Sequence, residues 1–191
     1  MTPDDRLTAL PRVLFENLAV LDLGCNAGKL SLEVLSHFGA KEAHGVDLDP
    51  DLIETARRLA KASSSKATFE CQNFMFDPFS FFSSLQAADT VLLLSITKWL
   101  HLHYGDSGLR RLFEAIAGYL QTGGSLVVEP QDWDNYKQAI KKNKKLKPAF
   151  RELQMRPPFA DELQEAGFAL ILTIDRQEGG FSRPLMVWQK V

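Results

Sequence analysis

The chain has 191 residues and a mass of 21.4 kDa, the size of one compact α/β domain with no room for two full ones. Hydrophobic residues make up 45% and charged residues 24%, which excludes a largely disordered chain, and apolar runs as short as residues 91–94 exclude a transmembrane helix. Net charge is −2, yet seven basic residues and no acid fall between Lys137 and Arg151, leaving 15 basic residues against all 24 acidic ones elsewhere. A segment this polarised in an acidic protein is either a solvated helix or an electrostatic docking site.

In chain order, Met1 to Arg6 carries acids and no apolar core of the kind a secretory signal has. Cys25 and Cys71 are too few for a disulfide scaffold or a four-ligand zinc site, so a reduced, intracellular protein without metal is expected. Residues 18–23 read as a buried strand, and 29–37 as a helix with Leu30, Val34, Leu35 and Phe38 at helical spacing. A second strand is expected at 43–47. Asp49 then caps a helix that has Pro50 at its first position and Leu52, Ile53, Ala56 and Leu59 on its inner face. A third strand falls at 68–71. The Phe-rich stretch at 74–82 reads as a loop and short helix plugging the core beside it, rather than a membrane or partner patch. Residues 90–94 are uniformly apolar and predict a strand covered on both faces. An amphipathic helix at 107–120 ends at Thr122-Gly123-Gly124, and a fifth strand follows at 125–128. A basic helix is expected over 133–145, a short helix over 159–166, and strands over 168–174 and 184–189. Strands alternating with helices predict an open, mostly parallel α/β sheet with ligands at the carboxyl ends of its strands.

Asp22-Leu23-Gly24-Cys25-Asn26-Ala27-Gly28 follows the first strand and opens the first helix of that pattern. Its glycines allow a tight turn and close approach of a ligand to backbone. Asp47, at the end of the second strand, is placed to accept hydrogen bonds from both ribose hydroxyls of an adenosine. The dinucleotide fingerprint fails, because Asn26 holds the middle glycine position and Lys29 follows Gly28, and no Gly-Lys-Ser/Thr follows to make a Walker loop. Cys25 has no His–Asp constellation around it in the sequence and reads as packing.

This turn resembles the first motif of S-adenosylmethionine-dependent methyltransferases. Leu94-Ser95-Ile96-Thr97-Lys98-Trp99-Leu100-His101-Leu102-His103-Tyr104-Gly105-Asp106, Glu129-Pro130-Gln131-Asp132-Trp133, Gly180-Phe181-Ser182-Arg183-Pro184 and Asp5-Arg6-Leu7 resemble four segments of the RNA methylphosphate capping enzymes, the bicoid-interacting-protein type methyltransferases. The likeness runs from about Asp4 to Lys190. It implies a Rossmann-like, seven-stranded, mostly parallel sheet with helices on both faces and an antiparallel last strand, forming a single domain over 1–191. It also implies methyl transfer from S-adenosylmethionine to the γ-phosphate at the 5′ end of a small non-coding RNA. A 5′-monophosphate substrate, or a non-catalytic RNA-binding subunit of a ribonucleoprotein, stands beside that reading. A small-molecule or protein methyltransferase lacks a supporting motif.

Carried over residue by residue, the resemblance assigns Arg6 to the methionine carboxylate and Gly24, Cys25, Asn26 and Gly28 to the turn beneath the methionine moiety. Asp47 and Leu48 go to the ribose and adenine edge, Asn73 and Phe74 to the adenine, and Leu94 to the floor near the sulfonium. Lys98 and His101 are the expected catalytic pair at the phosphate, with Arg183 returning to the same mouth. Trp133 is the candidate for stacking on a base and Trp99 reads as core. Lys137, Lys141, Lys144 and Lys145 would share one helix face along the RNA backbone. His103 stands where the family usually has Asn, and the family's aromatic-rich stretch upstream of the first motif is not contained in this sequence. No metal, DNA or membrane is expected. A La-related RNA-binding protein is an expected partner, and a nuclear location is favoured over a cytoplasmic one.

Overall fold

The computed structural model describes residues 3–175 and 183–191. A short helix α1 (Asp5–Ala9) leads into a regular alternation: β1 (Ala19–Leu23), α2 (Lys29–Phe38), β2 (Glu42–Asp47), α3 (Pro50–Ala62), β3 (Ala67–Cys71), α4 (Pro78–Ser84), β4 (Thr90–Leu94), α5 (Thr97–Tyr119) and β5 (Ser125–Glu129). The chain continues through α6 (Trp133–Lys142), α7 (Lys147–Glu152), α8 (Ala160–Glu165), β6 (Phe168–Ile174) and β7 (Leu185–Lys190). The strands form one seven-stranded sheet in the order β3-β2-β1-β4-β5-β7-β6. β7 is antiparallel to both neighbours, β5 and β6, and the other pairings are parallel. This is the mixed doubly wound sheet that the alternation implied, with the chain's last strand inserted in reverse.

β1, β4 and β5 are buried along their whole length, so their alternate side chains feed two cores. Leu21, Leu23, Val91, Leu93, Leu126 and Val128 face the layer of α4, α5 and α6, with Phe81, Phe113 and Tyr136. Val20, Leu92 and Val127 face the opposite layer, where Leu7, Phe15, Val34 and Phe38 pack. Asp49 caps α3 through Asp51 N and Leu52 N, with Pro50 in the first turn, as its sequence dictates. The Phe-rich stretch divides: Phe74, Phe81 and Phe82 are buried, whereas Phe76 and Phe79 face solvent.

Two helix boundaries differ from expectation. α5 is two helical stretches joined at a kink: Gly105 (φ 68°, ψ −175°) is non-helical, so the helix expected from Ser107 is its second stretch, and residues 97–104 form a preceding one that was not expected. α6 ends at Lys142 instead of continuing to 145. Asn143 is extended there (φ −127°, ψ 94°), and its side chain accepts from Lys145 N to open a separate 3-10 turn. Lys144 and Lys145 therefore leave the helix that carries Lys137 and Lys141. Among the described residues, no helix is long and apolar enough to cross a membrane.

Candidate active site

The parallel strands end together on one rim, and the glycine turn opens it. Gly24 has φ +76°, and a Cβ there would lie 2.1 Å from Ile96 Cδ1, so the turn and the start of α5 fit only around a bare backbone. Gly24 N and Cys25 N both donate to Val46 O, which ties the turn to β2. Asn26 N then donates to Asp47 Oδ2 at 2.8 Å, and Asp49 N to Asp47 Oδ1 at 3.0 Å. Each carboxylate oxygen keeps accepting capacity beyond these bonds.

Beside Asp47 lies a cleft of about 360 Å³, lined among others by Leu48, Asn73, Phe74, Trp99 and Tyr104. Asn73 Oδ1 accepts from Met75 N at 3.1 Å and from Tyr104 Oη at 3.0 Å, which fixes the amide and leaves its NH2 side for a ligand. Gly28 caps α2 with φ +73°, and burial pushes the Cys25 thiol well above its ordinary range, consistent with packing rather than nucleophilic chemistry. Leu94 lies in the core cluster with Leu7 and Leu185 and is not among the residues lining this cleft.

Sequence reasoning missed one wall. Ile96, Trp99, Leu100, His103 and Tyr104 face the cleft, at i, i+3, i+4, i+7 and i+8. The signal was present inside the motif, whose first half was read as a motif and not as a helix. Trp99, expected in the core, is 43% exposed at this rim.

The ends of β4 and β5 build a second, charged region. Arg6 gives Nε and Nη2 to Asp4 at 2.9 and 2.8 Å, and its Nη1 lies 3.5 Å from Glu129 Oε2. Asp4 N is anchored on Glu33 Oε2 at 2.7 Å. Ser95, in the left-handed region at φ 60°, donates its hydroxyl to Glu129. Arg183 donates Nη1 to Ser95 Oγ at 3.1 Å and Nη2 to Asn135 Oδ1 at 2.9 Å. Gln131 Oε1 accepts from Thr97 Oγ1 and from Lys98 N, locking the start of α5 against the Glu-Pro-Gln turn.

Lys98 is 9% exposed and its ammonium sits 4.3 Å from the centroid of the Trp99 ring. Burial lowers its pKa, and the neighbouring charges of Arg183 and Lys142 lower it further against the pull of Asp132. Lys98 and Arg183 thus lie within electrostatic reach of one another. The rest of the Gly180-Phe181-Ser182 motif lies outside the described residues.

Three expectations are corrected. His101 does not face a phosphate: its side chain is 0% exposed, between Phe159 and Tyr136. Nε2 meets Asp106 Oδ1 at 2.6 Å and Nδ1 meets Tyr136 Oη at 3.1 Å. A carboxylate only accepts, so Nε2 carries the proton and Nδ1 accepts from the tyrosine. Asp106 Oδ2 also accepts from Gln154 N and Met155 N, so this pair fastens the α5 bend to the segment after α7.

Trp133 is the second. Phe150 stacks on it at 4.7 Å, Arg156 lies 4.0 Å from its centroid, and Tyr136 packs at 4.8 Å, so its faces are engaged within the protein. The third is the shared lysine face. α6 stops at Lys142, and Lys137 pairs with Asp134 at 2.8 Å. Lys141, Lys142, Lys144 and Lys145 are exposed and make no salt bridge among the described residues.

A family model described as bicoid-interacting protein 3 matches residues 88–190, more than half of the chain. The chain belongs to the bicoid-interacting protein 3 family. A second model, of a methyltransferase domain, matches residues 20–124. Among family relatives, the U6 snRNA methylphosphate capping enzyme Amus of Drosophila melanogaster is 32% identical over 93% of this chain and 64% of its own length. The RNA 5′-monophosphate methyltransferase of Bos taurus is 30% identical over 88% of the chain and 70% of its own length. The chain spans 38% of the length of the 7SK snRNA methylphosphate capping enzyme of Mus musculus, at 28% identity.

Solved structures agree in fold. The N-methyltransferase NodS from Bradyrhizobium japonicum WM9 superposes with a TM-score of 0.70 at 15% identity, over 97% of this chain and 92% of that one. The magnesium protoporphyrin IX methyltransferase from Synechocystis PCC 6803, with bound S-adenosylhomocysteine, gives 0.64 at 20% identity over 93% and 76%. The fold is that of the class I methyltransferases, whose cofactor is S-adenosylmethionine. The donor set fits that group: a carboxylate at the end of β2, an amide and a phenyl ring in an adenosine-sized cleft, and an arginine across the rim.

Proposed function

We propose that the protein transfers a methyl group from S-adenosylmethionine to the 5′-terminal γ-phosphate of a small non-coding RNA. The observation that carries the reading is Lys98 brought beside Arg183 at the ends of β4 and β5, next to the adenosine-sized cleft. Burial and the charge of Arg183 disfavour the protonated Lys98, a cost that a bound polyanion relieves. The names of the Drosophila, bovine and mouse relatives support an RNA 5′ end as the substrate.

Asp47 and Leu48 would hold the ribose and adenine edge, Asn73 and Phe74 the adenine, and Arg6 the methionine carboxylate. S-adenosylmethionine supplies an electrophilic methyl group. The chain's own task is light, because a phosphate oxygen is already anionic near neutral pH and needs no general base. Lys98 and Arg183 would hold the non-reacting phosphate oxygens, orienting the nucleophile without proton transfer. Methylation removes one negative charge and so weakens the product's hold on the two cations.

With Lys142 close by, three cations favour a triphosphate end over a monophosphate. The exposed lysines from Lys141 to Lys145 would follow the RNA backbone behind the 5′ end. A La-related RNA-binding partner and a nuclear location complete the proposal. The cleft and Asp47 disfavour a purely non-catalytic subunit.

The test is transfer of labelled methyl to one RNA carrying a 5′-triphosphate, a 5′-monophosphate or a 5′-hydroxyl. Label on the triphosphate RNA, resistant to phosphomonoesterase and released by pyrophosphatase cleavage of the 5′ end, is the expected result. Equal labelling of the 5′-hydroxyl RNA would overturn the proposal, and preference for the monophosphate would move the acceptor to the α-phosphate.

A further inference from the structure

Arg6 and Arg183 reach the same strand ends from opposite ends of the chain, and one hydroxyl and one carboxylate stand between them. Arg183 Nη1 donates to Ser95 Oγ at 3.1 Å, and the Ser95 hydroxyl donates to Glu129. Oε2 of that carboxylate, which is buried, lies 3.5 Å from Arg6 Nη1. Ser95 is a serine in the left-handed region, φ 60°, immediately after β4. Its carbonyl accepts from Gln131 Nε2, so the surrounding structure fixes its backbone as well as its side chain. A hydroxyl in a left-handed conformation, held at both ends of a chain of charged groups, is a feature that packing alone does not require.

We infer that Ser95 and Glu129 couple the cofactor and RNA sites: a carboxylate bound at Arg6 strengthens the hold of Arg183 on the RNA end. The inference rests on the RNA methyltransferase reading and adds a link between its two ligands. A carboxylate that engages Arg6 draws the guanidinium away from Glu129. Glu129 then accepts more strongly from the Ser95 hydroxyl. A hydroxyl that donates more strongly is also a better acceptor, so the bond from Arg183 tightens. Arg183 is oriented before the phosphate arrives, which lowers the ordering cost of binding. Linkage makes the effect reciprocal, so RNA tightens the cofactor by the same factor. Ser95 and Glu129 act here as positioning residues, through the two arginines.

Two probes separate this coupling from general stabilisation. S-adenosylhomocysteine carries the carboxylate, whereas 5′-methylthioadenosine has the same nucleoside and a thioether but no amino-acid part. Affinity for a labelled 5′-triphosphate RNA is measured by anisotropy alone and with each probe at saturation. S-adenosylhomocysteine is expected to tighten RNA binding about fivefold or more, and methylthioadenosine less than about twofold. Ser95→Gly suits φ 60° and removes the hydroxymethyl side chain, and Glu129→Gln keeps the shape without the charge. In both, the S-adenosylhomocysteine effect should fall below about twofold. A merely structural role would weaken both ligands and leave the ratio unchanged, which overturns the coupling, as does an equal effect of the two probes. A parent protein that binds both ligands with a ratio of one overturns the coupling alone. One that binds S-adenosylhomocysteine but no RNA overturns the RNA reading together with it.

Discussion

At the ends of β1 and β2 the groups facing the cleft are held by backbone: Asn26 N and Asp49 N grip Asp47, and a left-handed Gly24 shapes the turn. At the ends of β4 and β5 they are held by side chains drawn from distant segments: Ser95, Glu129, Gln131 and Asn135 position Arg6, Lys98 and Arg183. The first arrangement is local and turns one carboxylate toward the cleft. The second gathers like charges among neutral oxygens and the carboxylates of Asp4 and Glu129. On the proposed function, a cofactor seat fixed by backbone adjoins a substrate seat whose geometry depends on several partners at once.

Variants on both sides probe that contrast. Lys98→Ala should lower turnover on 5′-phosphorylated RNA by on the order of 100-fold, the loss expected for one charged donor at a reacting group. S-adenosylhomocysteine affinity, read by calorimetry, should stay within about twofold. Equal turnover of variant and parent at saturating RNA would remove Lys98 from the site. Asp47→Ala should do the reverse and weaken S-adenosylhomocysteine by roughly 1.5–3 kcal/mol, the cost of lost charged hydrogen bonds. Unchanged affinity in a folded Asp47→Ala protein would contradict the ribose role.

Changing Lys141, Lys142, Lys144 and Lys145 together to Gln should flatten the slope of log RNA affinity against log salt by up to about 3, at about 0.7 per phosphate contact on a single strand. Lys137→Gln should change it less, since Asp134 already neutralises that lysine. An unchanged slope in the fourfold variant returns the segment to a solvated surface.

The smallest effect is on stability. Burial holds the His101 pKa below its ordinary 6.5, so the unfolded chain takes up the proton first. Its contribution is present above pH 6.5 and is lost as pH falls below it. Melting curves of the parent should drop more between pH 7 and pH 5 than those of His101→Gln. His44, whose pKa burial also lowers, contributes equally to both.

The difference between the two regions also explains what the sequence disclosed. Strand and helix positions follow local periodicity, and the Asp22–Gly28 turn with Asp47 encodes its geometry within one βαβ unit, so the sheet and the turn beside the cleft were legible. The wall from Ile96 to Tyr104 was hidden because Gly105, non-helical at φ 68° and ψ −175°, interrupts the helix, and the short stretch before it reads as a motif rather than as a helix. His101 and Trp133 were misplaced because residue type suggests chemistry, whereas burial by Phe159, Tyr136 and Phe150 is decided by contacts from other elements of the chain. The basic helix was overextended because lysine propensity carries no sign of Asn143, whose side chain competes with the helix backbone.

The rim position of Trp99 gives the molecule its own optical reporter. The sequence has three tryptophans. Trp188 is sealed in the core and Trp133 lies within an aromatic cluster, so changes in solvent near the cleft act chiefly on the emission of Trp99. The Lys98 ammonium 4.3 Å from its ring centroid makes the same indole sensitive to charge arriving at the phosphate side. A nucleoside entering the cleft and an anion reaching Lys98 would thus leave separate marks on one intrinsic fluorescence band, without any label attached to the protein.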